Sequence, residues 1–246
     1  MHRYQILVEY EGSKFIGWQI QKKGKTVQGL IQKKISILLK EKIILSAAGR
    51  TDSGVHANEQ SAHFDCKIKI KKLNNFLKSI NYFLNKNGIS ILKIIKRKDN
   101  FHARFSAKIR IYKYVIINRS SASVLEKNRA WHIIKKLDLE LMRKGAKKLI
   151  GTKDFSTFRA SSCRAKSPIR TMKLVKIKST KNKIEIEFRS QSFLQKQVRS
   201  MVGCLKYLGE KKWSLKKFDN AIKLKNRSLC APPAPPEGLY LKRIIY

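Results

Sequence analysis

The residue of this chain best placed to do chemistry is Asp52. It lies in Ala48-Gly49-Arg50-Thr51-Asp52-Ser53-Gly54-Val55-His56-Ala57, two residues after an arginine, between two glycines and downstream of the β-prone run Ile43-Ile44-Leu45. Gly49 and Gly54 supply backbone freedom that lets a loop carry the carboxylate into a cleft. The plain alternative is an Asx-turn in which Asp52 bonds its own backbone, so the surroundings must decide. Asp52-Ser53-Gly54 also matches the short signature of aspartic proteases, whose chemistry needs two carboxylates sharing a proton. No other Asp here is followed by Ser or Thr and then Gly. A single-chain protease is thereby excluded, and only a dimeric one survives. Gly24-Lys25-Thr26 is not a phosphate loop, because Gln19 stands where the earlier glycine is required. The histidines His2, His56, His63, His102 and His132 lack metal-ligand spacing, and Cys66, Cys163, Cys204 and Cys230 are too dispersed for a paired zinc site or a disulfide framework.

The elements that must position Asp52 can be read from hydrophobic period and punctuation. A strand over Tyr4–Tyr10 ends at Glu11-Gly12, and residues 12–17 form a turn leading to Trp18. Val27, Leu30, Ile31, Ile35, Leu38 and Leu39 share a helical face behind Thr26 as N-cap. A strand at 43–48, the Asp52 loop and a strand near Gln60–Cys66 follow. Leu73 to Leu84 forms a second helix, ended by Asn87-Gly88 ahead of a strand at Ile89–Ile95. After a polar link at 96–100 comes a β run at Lys108–Asn118, then a helix from Leu139 to Ile150 closed by Gly151. A hairpin pairs 169–178 with 184–190, an amphipathic helix runs from Val198 to Leu208, a short one spans Leu215–Leu224, and a strand closes the chain at Leu239–Ile245. This order lacks the strand-then-helix rhythm of a parallel barrel. It predicts an α+β protein of two α/β subdomains, 1–106 and 107–246, with mainly antiparallel sheets.

Composition narrows the partner. Fifty-six Lys and Arg against sixteen Asp and Glu give a formal charge of +40, well beyond what solubility asks, and point to a polyanion, nucleic acid first. Forty-one of the basic residues are Lys, spread evenly along the chain, so part of the charge is ordinary solvated surface. Dispersed cysteines, no apolar core resembling a signal peptide and no apolar run near the ~20 residues of a membrane span lead us to expect a soluble cytoplasmic protein.

Taken together, these motifs closely resemble the TruA family of tRNA pseudouridine synthases. The likeness is carried by Gly49–Ala57 and continues through Phe101-His102-Ala103-Arg104-Phe105-Ser106-Ala107 and Tyr112-Lys113-Tyr114. It extends to Asp154-Phe155 with Phe158-Arg159, Phe193 with Val198-Arg199, and Gly238-Leu239-Tyr240-Leu241, so that it spans essentially the whole chain. It implies the pseudouridine synthase fold, with a basic active-site cleft, and conversion of uridine to pseudouridine at positions 38, 39 and 40 of the tRNA anticodon stem-loop by a homodimer. Because the base is detached, turned and rejoined with no atom gained or lost, it also implies no cofactor and no metal.

By the same resemblance Asp52 is the catalytic carboxylate. It could stabilise charge at the anomeric carbon, add covalently or remove a neighbouring proton. Arg199 is its expected cationic partner, the alternative being a basic residue on the solvent side of its helix. Tyr112 is expected to stack on the extruded uracil, the alternative being core packing beside Tyr114 on one face of its strand. Arg50 is expected to bind phosphate or orient the flipped nucleotide, and Arg104 to contribute to substrate binding or to form a structural ion pair. The chain departs from many relatives at Gln195, Lys196 and Gln197, where histidines and a methionine are common, and at Ser53, where alanine is common. A catalytically silent tRNA-binding or RNA-folding protein is the competing reading, and it has no use for Asp52.

Overall fold

The computed structural model describes residues 1–246, which divide into two compact units, Met1–Lys108 with Tyr240–Tyr246, and Ile109–Leu239. The last strand, placed by sequence order in the second half, therefore contributes to the first. It pairs in parallel with a strand of that unit, Tyr240 opposite His56 and Leu241 opposite Ala57, and Lys108 N–H donates to the Ile245 carbonyl at 2.8 Å. Proximity in sequence could not reveal a pairing across more than half the chain.

In the first unit, β1 (His2–Tyr10) lies between β3 (His56–Cys66) and β4 (Ile89–Arg97), antiparallel to both, and β10 (Leu239–Ile245) adds to the far side of β3. Tyr4, Ile6, Val8 and Tyr10 are all buried, which is the period-two face that a half-buried strand presents to its core. That core is closed by α1 (Val27–Leu39) and α2 (Leu73–Leu84). Thr26 caps α1 by accepting from Gly29 N–H at 3.3 Å, and Gly88 at φ +74° ends the turn after α2.

The expected strand at 43–48 is shorter, because only Ser46–Ala47 (β2) pairs, with His63 and Ala62 of β3. Ile43 and Leu45 are buried and Ile44 is exposed, so the segment is extended as its alternation demands. Ahead of β2, the backbone of Ile43 and Leu45 is satisfied by side chains of α1. Ile43 N–H donates to Ser36 Oγ at 3.0 Å, Leu45 N–H to Gln32 Oε1 at 3.1 Å, and Gln28 Nε2 donates to the Leu45 carbonyl at 2.8 Å. Helix side chains that saturate buried main-chain groups leave no signature in a strand's own sequence.

In the second unit, β5 (Ile109–Asn118), β9 (Lys183–Ser190), β8 (Ile169–Thr180) and β7 (Gly151–Asp154) run antiparallel in that order, and β6 (Trp131–Ile133) pairs in parallel on the other side of β5. The hairpin β8–β9 turns where expected; β6 and β7, of three and four residues, are too short to show a period. Three helices, α3 (Leu139–Lys148), α4 (Gln197–Gly209) and α5 (Leu215–Lys223), complete this unit. α4 is buried along most of its length, its Gly203 lying so close to the Pro232 carbonyl that a Cβ there would overlap it. The whole is α+β with mainly antiparallel pairing, and no helix is long and apolar enough to cross a membrane.

Candidate active site

The loop that carries Asp52 is shaped by its own turn chemistry and clamped by a second loop. Asp52 C=O accepts from Val55 N–H at 3.2 Å, and Gly54, third in this four-residue turn, has φ +78°. A turn of this kind requires a residue at its third position that tolerates positive φ, which is the physical reason for Gly54. Gly49 does not use that freedom; its carbonyl instead accepts from Gln60 Nε2 at 2.8 Å, anchoring the loop's entry to β3. The turn is closed through the Asp52 main-chain carbonyl. Burial alternates through the entry, with Arg50 exposed, Thr51 buried and Asp52 half-buried. Arg50 and Asp52 thus share a face, as an extended segment requires.

The clamp comes from residues 10–18, which sequence reading treats as mere punctuation. Thr51 meets the Tyr10 hydroxyl at 2.8 Å, Trp18 N–H donates to the Thr51 carbonyl at 3.1 Å, and Ser53 Oγ and Gly54 N–H donate to the Phe15 carbonyl at 3.3 and 3.4 Å. Gly12 N–H donates to His56 Nδ1 at 3.0 Å, so the buried imidazole is neutral on that nitrogen, and its ring stacks on Tyr240 with centroids 4.7 Å apart. Backbone lies on backbone here. A Cβ at Gly12 would overlap the Val55 carbonyl, and one at Gly17, where φ is +114°, would come within 2.9 Å of the Thr51 carbonyl oxygen. These glycines hold Asp52 in place, and the signal available in the sequence was only that Gly12 and Gly17 bracket a turn.

The Phe101–Ala107 segment forms a closed turn in the same unit. His102 N–H donates to Ser106 Oγ and Ser106 N–H returns to the His102 carbonyl, both at 2.9 Å. Ala103 N–H donates to His63 Nδ1 at 3.2 Å and the Tyr246 hydroxyl to the Ala103 carbonyl at 2.9 Å. Burial, reinforced by the positive charge that His102 and Arg3 would set against a second one here, pushes the His63 imidazole down to about 4. Arg104 is exposed and its guanidinium lies 5.4 Å from the Phe105 ring centre.

Two of the expected site residues belong to the second unit. Tyr112 is 8 % exposed, paired with Phe188 across β5–β9, and meets Phe193 edge-on with centroids 5.0 Å apart. Tyr114, two residues on and also opposite a core residue, is fully buried and donates its hydroxyl to the Pro235 carbonyl at 2.8 Å. Arg199, in the first turn of α4, is not directed simply to solvent: its Nε donates to the Ala234 carbonyl at 2.7 Å, and Ala234 N–H donates back to the Arg199 carbonyl at 2.9 Å. Gly203, one turn further, allows the proline-rich segment to approach closely enough for this exchange. Among the departures, Gln197 is buried and accepts from Leu194 N–H at 2.8 Å, and Lys196 opens α4 at φ +60°. No three His, Cys, Asp or Glu side chains cluster so as to hold a metal ion.

A family model described as tRNA pseudouridine synthase matches residues 6–106 and 146–246. The chain belongs to the tRNA pseudouridine synthase family. Asp52, Arg50, Arg104 and Arg199 fall inside the matched stretches, and Tyr112 lies between them. Among full-length relatives, the chain is 68 % identical over 246 residues to the tRNA pseudouridine synthase A of Pelagibacter ubique (strain HTCC1062), covering all of both chains. It is 43 % identical over 248 residues to that of Rhizobium meliloti (strain 1021), and 39 % identical over 246 residues to that of Parvibaculum lavamentivorans, again with complete coverage of both chains.

Proposed function

We propose that the chain converts uridine to pseudouridine in tRNA, with Asp52 as the catalytic carboxylate. The observation that carries this reading is a family-matched Asp on a turn whose backbone is fixed from both sides by Gly12, Phe15, Trp18 and Gln60. A carboxylate that must meet one ribose carbon gains more from such fixing than a surface charge does. In the reaction the C1′–N1 bond breaks, the uracil turns, C5 bonds to C1′, and the proton on C5 is lost while N1 gains one. Atoms and charge balance without an added reagent. Positive charge developing at C1′ is met by Asp52, through electrostatic stabilisation, covalent addition or removal of an adjacent proton.

Motif correspondence assigns the remaining roles: Arg199 as counter-ion of Asp52, Tyr112 as the surface on which the extruded uracil stacks, and Arg50 and Arg104 as contacts to the flipped nucleotide and its phosphates. The substrate positions 38, 39 and 40, the anticodon stem-loop, the homodimer and the cytoplasmic location belong to the same proposal. The excess of 40 positive charges supports a tRNA partner.

Tritium release from C5-labelled uridine in whole tRNA tests the reading directly. The wild-type chain is expected to release tritium and Asp52→Asn essentially none, with tRNA binding retained. Equal release by both proteins removes Asp52 from the mechanism. Binding without release by the wild type establishes a silent tRNA-binding protein instead.

A further inference from the structure

Phe105 is 74 % exposed although the turn that carries it is closed by hydrogen bonds of its own and to His63. The ring is held rather than merely left outside. Arg104 N–H and Phe105 N–H both donate to His102 Nδ1, at 3.1 and 3.4 Å, and the His102 ring in turn lies against Phe105 with centroids 4.4 Å apart and planes 35° from parallel. Behind it, His102 packs edge-on against His63 at 4.6 Å, so an aromatic ladder runs from the buried interior to the exposed ring. Beside the ring stands the Arg104 guanidinium. An exposed aromatic with one side backed by protein and a cation next to it has the composition of a platform for a π-face attached to a phosphate.

We propose that Phe105 is a stacking site for an unpaired base of the RNA substrate, with Arg104 taking the adjoining phosphate. This rests on the tRNA reading above and adds to it a recognition residue outside the reacting centre. Charge favours RNA as the occupant, because a protein of net charge +40 attracts a polyanion. Stacking is indifferent to base identity, so the site would contribute affinity and placement rather than sequence choice.

A synthetic tRNA stem-loop carrying 2-aminopurine at one unpaired position at a time provides the probe. Wild type is expected to quench the fluorescence at one position. Phe105→Ala is expected to lose that quench and to bind the RNA roughly 5- to 150-fold more weakly. Phe105→Trp should restore both, whereas Phe105→Leu, which keeps apolar bulk without a π-face, should not. Unchanged affinity and quenching in Phe105→Ala, with circular dichroism matching wild type, overturns the proposal, and so does a change in oligomeric state without a change in RNA affinity. Tritium release by wild type is measured in parallel. Release together with a neutral Phe105→Ala refutes the platform alone, and weakened binding without any release refutes the catalytic reading alone.

Discussion

Replacing Gly12 by alanine should misplace Asp52 without touching it. The added Cβ would overlap the Val55 carbonyl and sit 2.8 Å from the Gly54 carbonyl carbon, both of them backbone atoms of the turn that begins at Asp52. Ordinary carbon–carbon contact is ~3.5–4.0 Å, so the two loops must separate by roughly 1 Å. No rotamer change can absorb this, because main chain faces main chain. The same movement strains the hydrogen bond from Gly12 N–H to His56 Nδ1. A misplacement of about 1 Å at a reacting group costs on the order of a hundredfold in rate, or about 2.7 kcal/mol in the barrier. Single-turnover tritium release from C5-labelled tRNA should therefore fall about a hundredfold in Gly12→Ala, measured at saturating tRNA so that binding does not enter. Gly24→Ala is the matched comparison. It too introduces strain, at φ +88°, but its Cβ meets only the Ile16 side chain, nearest at its Cδ1 end, and no backbone, so stability should drop by roughly 1 kcal/mol with little loss of rate. A Gly12→Ala protein that folds and turns over at the wild-type rate would refute the clamp.

His63 links stability to pH. Its folded-state value, about 4, lies below the ordinary histidine value, so between pH 6.5 and 4 the unfolded chain binds the proton and the native chain does not. The stabilisation is complete above 6.5 and is lost as pH falls through this window, by roughly 3 kcal/mol in all. Urea midpoints at pH 7.5 and 5 should show the loss in wild type and a smaller one in His63→Gln, whose amide oxygen can still accept from Ala103. Tyr114→Phe removes the donor to Pro235 in a buried setting and should cost about 1 kcal/mol in the urea midpoint. tRNA affinity should fall steeply in a salt titration, since each neutralised phosphate releases counterions; a flat titration would leave the charge excess to solvated surface.

Much of the Asp52 loop was legible because its residues are local in sequence. Gly54 beside Asp52 announces a turn, and alternation from Arg50 to Asp52 announces an extended entry, since both follow from backbone sterics acting over three or four residues. The helices from Val27 and Leu73 and the hairpin ending at Ser190 were legible for a similar reason, a sustained period on one face. Segment 43–48 reads as one strand, but only Ser46–Ala47 pairs, because the backbone of Ile43 and Leu45 is taken up by the side chains of Ser36, Gln32 and Gln28 on a helix. β6 and β7 are too short to carry a pattern at all.

The sequence by itself determined that the chain is α+β, that it carries a large positive charge and that one carboxylate stands in a turn between two glycines. Motif order was enough to point to the family, since several short motifs in a fixed order can be read without any knowledge of contacts. Tertiary structure alone decided that Gly12 and Gly17 are packing partners of the Asp52 loop, and that the last strand returns to pair with β3. It also decided that Arg199 is braced by Ala234 and that Phe105 is held outward by His102. Each of these is a close approach between residues far apart in the chain or a direction taken by one ring. Neither has a period or a composition, so only the folded structure could fix them.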